Sequence, residues 1–289
     1  AQPGRVLQTS LLAEVPVFGD EGIRSELPVL EHPASASAEA FRFAATAIEI
    51  RGRRGPDEDA PQPPQQHTYL ITSPGPQEGK TVLTANLALA AARKGRRVLA
   101  IDADFGNQRL SELLRGEHEP GPGFTEVVET GLDLSSATFS LGPPGPLDLI
   151  SRGERPTNAP DFFSLPATRA FMAKVSHLYD IVLVDCPPML HIAYASILAQ
   201  YVDRIIVVTQ HGGSVTRLED MAQRLDLIGT PLAGYVYNGA PLRYEMTLTE
   251  GSLKDVLGTP DGDEETQKKR QSHPTRPQRL ARGPHRDTN

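Results

Sequence analysis

A short apolar run that leads through a glycine- and proline-rich loop into Gly-Lys-Thr constrains the fold of this chain most. Residues 70–72 form the run, 73–79 form the loop, and Lys80 and Thr81 open an apolar helical stretch. This order of strand, loop and helix start presents backbone N–H groups and the positive end of a helix dipole to an anion. Lysine in this position reaches the outer phosphates, and the threonine hydroxyl ligates Mg²⁺. Residues 73–79, the phosphate loop, are therefore predicted to bind a nucleotide.

The loop departs from the general pattern G-x-x-x-x-G-K-[ST] at its first glycine, because Pro74 occupies that position. Gly75 follows one residue later and gives a shorter spacing. The alternative interpretation is a turn rich in Gly and Pro that precedes Lys and Thr by chance. The strand before the loop and the helix after it favour phosphate binding, since the motif needs that context.

Apolar strand patterns alternate with helical patterns from about residue 67 to about residue 242. Strands are predicted at 69–72, 98–102, 147–150, 181–185, 205–209 and 234–237, and helices at 81–93, 108–114, 162–178, 193–200 and 215–228. Upstream, 15–17 is a candidate short strand and 37–50 has helical spacing. Continuous apolar strands between helices predict an α/β fold with a mostly parallel, twisted sheet that carries helices on both faces.

Length and composition divide the chain and exclude some functions. We predict an N-terminal segment at 1–51, a flexible linker at 52–66, a main domain at 67–257 and a disordered tail at 258–289. The basic cluster of the tail is interpreted as solvated, with contact to a membrane surface as the alternative. The net charge of -7 argues against nucleic-acid binding. A single cysteine, Cys186, indicates a reducing compartment.

Membrane insertion and secretion are not expected from the sequence. It contains no run of 18 apolar residues and no signal-peptide pattern. Because the chain begins with Ala1 rather than Met, we expect it to belong to a longer protein.

Two further predicted strands end in aspartate. Asp102 and Asp104 close one of them, and Asp185 closes another. Because the carboxyl ends of parallel strands meet at one edge of a sheet, we expect these carboxylates beside the phosphate loop. Carboxylates ligate Mg²⁺ directly or through water, and they orient or deprotonate the nucleophile in phosphoryl transfer. The alternative is that each aspartate caps the helix or turn that follows it.

A late strand ends in Asn238, followed by Gly239. The asparagine side chain offers both a donor and an acceptor, which suits recognition of an adenine edge. Asn-Gly is also a common turn sequence, and from these two residues alone the turn is favoured.

Together these motifs resemble those of the bacterial tyrosine kinases of capsular and exopolysaccharide synthesis, relatives of the MinD/ParA ATPases, over about residues 12–242. Their loop T-S-x-x-P-G-E-G-K-S is matched by Thr72, Ser73, Pro76, Glu78, Gly79, Lys80 and Thr81, with Gln77 in place of Gly. The patterns V-L-x-I-D-x-D and Y-D-x-V-x-x-D-x-P-P match the strands that end at Asp104 and Asp185. Gly75 stands where the MinD/ParA loop has its signature lysine, which favours the kinase branch.

The resemblance implies a P-loop NTPase fold and specific roles for the matched residues. ATP would be bound by Pro76, Gln77, Glu78, Gly79, Lys80 and Thr81, with Asn238 on the adenine side. Mg²⁺ would be held by Thr81, Asp102 and Asp185. Lys80, Asp102, Asp104 and Asp185 would act in catalysis, with Asp102 or Asp104 positioning the acceptor hydroxyl.

The expected function is phosphoryl transfer from ATP–Mg²⁺ to tyrosine in a domain that regulates exopolysaccharide or capsule chain length or export. Its place would be cytoplasmic, at the inner face of the bacterial plasma membrane. Its partner would be a transmembrane polysaccharide chain-length regulator, either upstream in the same chain or separate.

Three departures from the kinase pattern keep alternatives open. In the kinase family, an E-x-x-R-x-x-R helix helps subunits to associate into a ring. Glu39 and Arg42 match this pattern, but Ala45 replaces the second Arg, which weakens the expectation that this chain forms such a ring. Tyr194 stands where an Asp is usual, and Tyr244 is the last tyrosine, without the usual C-terminal cluster. The alternatives are a non-kinase regulatory ATPase or nucleotide-gated interaction module, and an adaptor whose site Gln77 has inactivated.

Overall fold

Eight strands form one sheet among the residues that the computed structural model describes, namely 3–52, 67–116, 121–143 and 145–242. The strands are β1 Leu11–Pro16, β2 His67–Thr72, β3 Val98–Asp102, β4 Thr138–Ser140, β5 Leu147–Ile150, β6 Ile181–Asp185, β7 Arg204–Gln210 and β8 Leu232–Ala240. The predicted tail at 258–289 and all but the first residue of the predicted linker lie outside the described residues.

The α-helices among these residues are α1 Pro3–Leu7, α2 Pro28–Glu31, α3 Ala36–Gly52, α4 Lys80–Arg93, α5 Arg109–Arg115, α6 Phe124–Thr130, α7 Leu134–Ala137, α8 Ala159–Ser164, α9 Pro166–Leu178, α10 Ala193–Leu198 and α11 Val215–Ile228. Short 3₁₀ helices lie at Phe18–Glu21 and Ala199–Tyr201. Within the described ranges, none of the helices has the length and apolar character that crossing a bilayer requires.

The strands are hydrogen-bonded in the order β1-β8-β7-β2-β6-β3-β5-β4. Every neighbouring pair is parallel except β4 and β5, so the prediction of a mostly parallel sheet is confirmed. Strand β2 lies between β6 and β7, and later strands are added on both of its sides. This reversal in strand order opens a crevice at the carboxyl ends of the strands, where α/β proteins bind ligands.

Two apolar cores cover the sheet because successive strand residues point to opposite faces. In β2, Tyr69 and Ile71 pack into the core that α3 and α4 cover, whereas Leu70 packs into the core with α9 and α11. All three side chains are buried, and full burial of one Leu or Ile contributes about 1.5–3 kcal/mol. Helices on both faces are therefore confirmed.

The N-terminal segment supplies the edge strand of this same sheet. Strand β1 pairs in parallel with β8, and Val15 lies opposite Asn238. The predicted strand at 15–17 is thus shorter than β1 and covers only its C-terminal end. Downstream in α3, Ala45 is fully buried, and Arg42 pairs with Glu39.

The prediction of one helix at 162–178 is wrong. Two helices, α8 and α9, meet at Leu165, whose backbone is extended at φ -62° and ψ 139°. Pro166 explains the break, because proline disfavours helical geometry in the residue before it and suits the first position of a new helix.

Candidate nucleotide-binding site

The phosphate loop joins the end of β2 to the start of α4 in a single tight passage. Gly79 precedes the helix with φ 93°, a left-handed conformation that glycine adopts without steric cost. The Ser73 hydroxyl donates to the Gly75 carbonyl at 2.5 Å, and the Met189 N–H donates to the Ser73 carbonyl at 3.1 Å. The loop is thus held by its own backbone and by the segment after β6.

Gln77 occupies the loop position where the kinase pattern has glycine. Its φ of 59° lies in the left-handed region, so the backbone adopts a conformation that favours glycine. For a residue with a Cβ this costs roughly 1–2 kcal/mol. Despite this strained residue, the loop still connects β2 directly to α4.

The Asn238 side chain is hydrogen-bonded to the backbone of the phosphate loop. Its side-chain amide donates to the Glu78 carbonyl at 3.0 Å, and a Cβ on Gly79 would lie 2.2 Å from that amide nitrogen. Strand β8 continues through Gly239 to Ala240, so the interpretation of Asn-Gly as a turn is wrong. Adenine recognition by Asn238 stays a prediction.

Thr81 and Asp185 bring the loop and β6 together. The Thr81 hydroxyl donates to the Asp185 carboxylate at 2.7 Å, and the Thr84 hydroxyl lies 3.4 Å from the other oxygen. Asp185 is therefore held by two hydroxyls of α4. Thr84 follows Thr81 by three residues on the same helix face, a spacing that sequence inspection can recognise.

Asp102 lies directly opposite Asp185 in the pairing of β3 with β6. One of its oxygens accepts the backbone N–H and the hydroxyl of Ser111, at 3.1 and 2.8 Å. Ser111 lies in the first turn of α5, so the capping interpretation holds for this oxygen. Nothing in the sequence pattern identifies Ser111 as its partner.

The second oxygen of Asp102 is buried and has no hydrogen-bond partner among the described residues. Burial raises the pKa of Asp102 to about 6, and burial together with the charge of Asp102 raises the pKa of Asp185 to about 8. Two adjacent buried carboxylates, one with a free oxygen, fit a site for a cation. No group of three or more His, Cys, Asp or Glu that suits a metal occurs in the described ranges, so Mg²⁺ would need nucleotide and water ligands as well.

Asp104 faces the cavity from the turn after β3. Its carboxylate accepts the N–H of Gly106 at 3.0 Å, so the capping interpretation holds here too. Burial raises the pKa of Asp104, and the positive charge of Lys80 acts in the opposite direction. Asp104 and Lys80 also line the same cavity.

A cavity of about 920 Å³ opens beside the phosphate loop. Among the predicted residues, those on its wall are Pro76, Gln77, Gly79, Lys80, Thr81 and Asp104, whereas Glu78, Asn238, Asp102 and Asp185 do not line it. The volume is within the range of pockets that hold cofactors. The structure therefore brings the loop and the three aspartates to one edge of the sheet.

Tyr194 forms part of the opposite wall. Its hydroxyl accepts the N–H of Phe105 at 3.2 Å, and its ring stacks on Phe163 with centroids 4.7 Å apart. Where the kinase pattern has an acidic residue, this chain thus has a packed aromatic side chain. Arg155 and His191 also line the cavity, and the sequence motifs did not single them out.

Comparison with known proteins agrees with this geometry. The CobQ/CobB/MinD/ParA nucleotide binding domain matches residues 69–254. The tyrosine-protein kinase ptk of Acinetobacter johnsonii is 28% identical over 175 residues, which are 60% of this chain and 24% of that protein. The chain thus spans about a quarter of the length of the curated relatives it matches.

Solved kinase domains share the fold. The kinase domain of the Escherichia coli tyrosine kinase ETK has a TM-score of 0.71 and 24% identity, covering 84% of this chain and 94% of that one. The BceF tyrosine kinase domain has a TM-score of 0.66 and 27% identity, covering 82% and 96%. The resemblance to bacterial tyrosine kinases is confirmed, and the chain belongs to the CobQ/CobB/MinD/ParA family of nucleotide-binding domains.

Proposed function

We propose that this chain is an ATP-binding domain of the bacterial tyrosine kinase type that transfers a phosphoryl group from ATP–Mg²⁺ to tyrosine. The observation that carries the proposal is the meeting of Lys80, Thr81 and three aspartates at one edge of the sheet, where Lys80, Thr81 and Asp104 line a cavity. Both the kinase-domain relatives and the family assignment support it.

The residues of the site divide the work of phosphoryl transfer. Lys80 and the backbone N–H groups of the phosphate loop neutralise phosphate charge. Thr81, Asp102 and Asp185 would hold Mg²⁺, which when bound offsets charge on the transferred phosphoryl group. The second oxygen of Asp102 is a candidate ligand atom, because it has no hydrogen-bond partner among the described residues.

Asp104 is the residue that we assign to the acceptor hydroxyl. It lies on the cavity wall, whereas Asp102 does not line the cavity. Burial raises the pKa of Asp104 and so brings it closer to that of an effective general base. The acceptor would be Tyr244, which lies outside the described residues, or a tyrosine of another protein.

The biological setting that we propose is control of exopolysaccharide or capsule chain length or export at the inner face of the plasma membrane. The motif resemblance supports this setting. The partner would be a transmembrane chain-length regulator, in the same polypeptide or separate.

A second candidate is a regulatory ATPase, or nucleotide-gated interaction module, without tyrosine transfer. It is favoured by Ala45, which replaces an arginine of the self-association helix. Mapping of phosphotyrosine by mass spectrometry after incubation with ATP and Mg²⁺ separates the two. Phosphate on Tyr244 or on a partner supports the kinase, and ATP hydrolysis without phosphotyrosine supports the regulatory ATPase.

ATP binding itself is tested by calorimetric titration in the presence of Mg²⁺. We expect the native protein to bind ATP and K80M to lose most of that affinity, because the lysine charge facing the phosphates is gone. The matched control is K174M, which removes an exposed lysine on α9 away from the cavity. Absence of binding by the native protein would instead support an adaptor with an inactive site.

A further inference from the structure

The phosphate loop contains a carboxylate, Glu78, which is unfavourable in a loop that has to attract phosphates. The side chain is largely buried, with 8% of its surface exposed. Burial raises the pKa of Glu78, and the backbone N–H groups of Gly75 and Gln210 and the charges of Arg217 and Lys80 act in the opposite direction. The charge of Glu78 is thus offset from two sides.

Arg217 lies outside the cavity, in the first turn of α11. Its own backbone N–H donates to the capping hydroxyl of Ser214 at 3.3 Å, which fixes where the helix begins. A cation this close to the positive end of a helix is unfavourable by itself. The Glu78 carboxylate lies near the Arg217 guanidinium beside Gly75 and supplies negative charge there.

Gly75 makes room for both charges. A Cβ at this position would lie 2.5 Å from the Arg217 guanidinium nitrogen Nη1 and 2.9 Å from Glu78 Oε1. The guanidinium and the carboxylate therefore rest against the same side of Gly75. A larger side chain at position 75 would push one of them away.

We propose that Arg217 is a positioning residue for nucleotide binding, which acts from outside the cavity by neutralising Glu78 and holding the outer side of the phosphate loop. Arg217 is not among the residues that line the cavity, so it acts through Glu78 and not on the phosphates. The proposal rests on the proposed ATP binding. The end of β8 supports the same residue, because the side-chain amide of Asn238 donates to the backbone carbonyl of Glu78.

The mechanism predicts a specific pattern of nucleotide affinity. Without Arg217, less of the charge of Glu78 is compensated and its repulsion of each phosphate increases, so ATP affinity falls more than ADP affinity. The loss for ATP is expected to be on the order of five- to tenfold at low salt, and smaller at high salt because the arginine is exposed and screened.

The experiment is a double-mutant cycle with R217Q, E78Q and the double variant, measured by calorimetric titration with ATP and ADP. R224Q is the matched control, since it removes an exposed arginine from the same helix. R217Q is expected to weaken ATP binding, R224Q to leave it unchanged, and R217K to recover part of the loss by restoring the charge. In the E78Q background, R217Q should have little further effect.

Thermal unfolding of each variant separates loss of folding from loss of the charge effect. An equal loss of ATP affinity from R217Q with and without E78Q would overturn the proposal, since Arg217 would then act independently of Glu78. Unchanged ATP binding by R217Q would overturn it as well. If the native protein itself fails to bind ATP, the proposed function fails first, and the two failures are thereby distinguished.

Discussion

The hydroxyl of Thr81 donates a hydrogen bond of 2.7 Å to the carboxylate of Asp185, which joins the start of α4 to the end of β6. These two residues lie 104 positions apart in the sequence. The contact sets the distance between the phosphate loop and the carboxylates before any ligand binds. The site is in this sense pre-assembled, which lowers the cost of ordering it on binding.

Thr81 is expected to determine the response to Mg²⁺. T81V removes the donor and leaves a buried carboxylate oxygen without its partner, at a cost of about 1–3 kcal/mol of folding stability. We expect Mg²⁺ to cease strengthening ATP binding in this variant, as measured by titration with and without the metal. T81S, which retains the hydroxyl, is the control and should keep the Mg²⁺ effect. A full Mg²⁺ response in T81V would contradict the assignment.

Asp102 is expected to make the metal-free protein less stable as the pH rises. Its pKa in the folded state is about 6, above the ordinary value of 3.8. Between these values the folded state holds more protons than the unfolded state, so stability is lost as the pH rises through 6. D102N should therefore raise the melting temperature at pH 8 without Mg²⁺, with a gain on the order of 2–3 kcal/mol.

Asp180 is the control for the melting-temperature measurement, because its pKa shifts in the opposite direction. Hydrogen bonds from Arg97 lower its pKa, so its contribution to stability is present above the unfolded pKa and is lost as the pH falls. D180N should thus lower the melting temperature at pH 8. If D102N is also destabilising at pH 8 without Mg²⁺, the buried Asp102 carboxylate does not destabilise the folded protein as we expect.

Gly79 is expected to tolerate no side chain. G79A meets the Asn238 amide at 2.2 Å while the backbone stays at φ 93°, so we expect loss of the Asn238–Glu78 hydrogen bond and of ATP binding. G95A is the matched control, because Gly95 has φ 79° with no atom within 4 Å of its Cβ position. It should cost about 1–3 kcal/mol of stability and leave ATP binding intact. Normal ATP binding by G79A would contradict this account.

Gln77 is expected to be a strained position that glycine relieves. Q77G removes a Cβ from a residue at φ 59°, and we expect a stability gain of up to about 1 kcal/mol in chemical denaturation. ATP affinity should be kept or improved. Q8G, at the other left-handed glutamine among the described residues, should give a similar gain without any effect on ATP. A loss of ATP affinity in Q77G would instead indicate that the glutamine side chain binds the nucleotide.

Most of the site could be predicted because its parts are local in sequence. The phosphate loop needs only a strand, a loop and a helix in order, and each aspartate follows its own apolar strand. The helix break at Pro166 was missed, although its signal is local, since proline acts on its immediate neighbour. The contacts of Asn238 were not readable, because Glu78 lies 160 positions away.

By itself, the sequence determined the alternation of strands and helices, the course of the loop and the residues that end β3 and β6. These features depend on periodicity and on the conformational preferences of neighbouring residues. Only the tertiary structure decided which charges and hydrogen-bonding groups meet: Ser111 on Asp102, Arg217 beside Glu78, and β1 against β8. Such pairs are set by strand order and helix packing, for which short-range patterns carry no information.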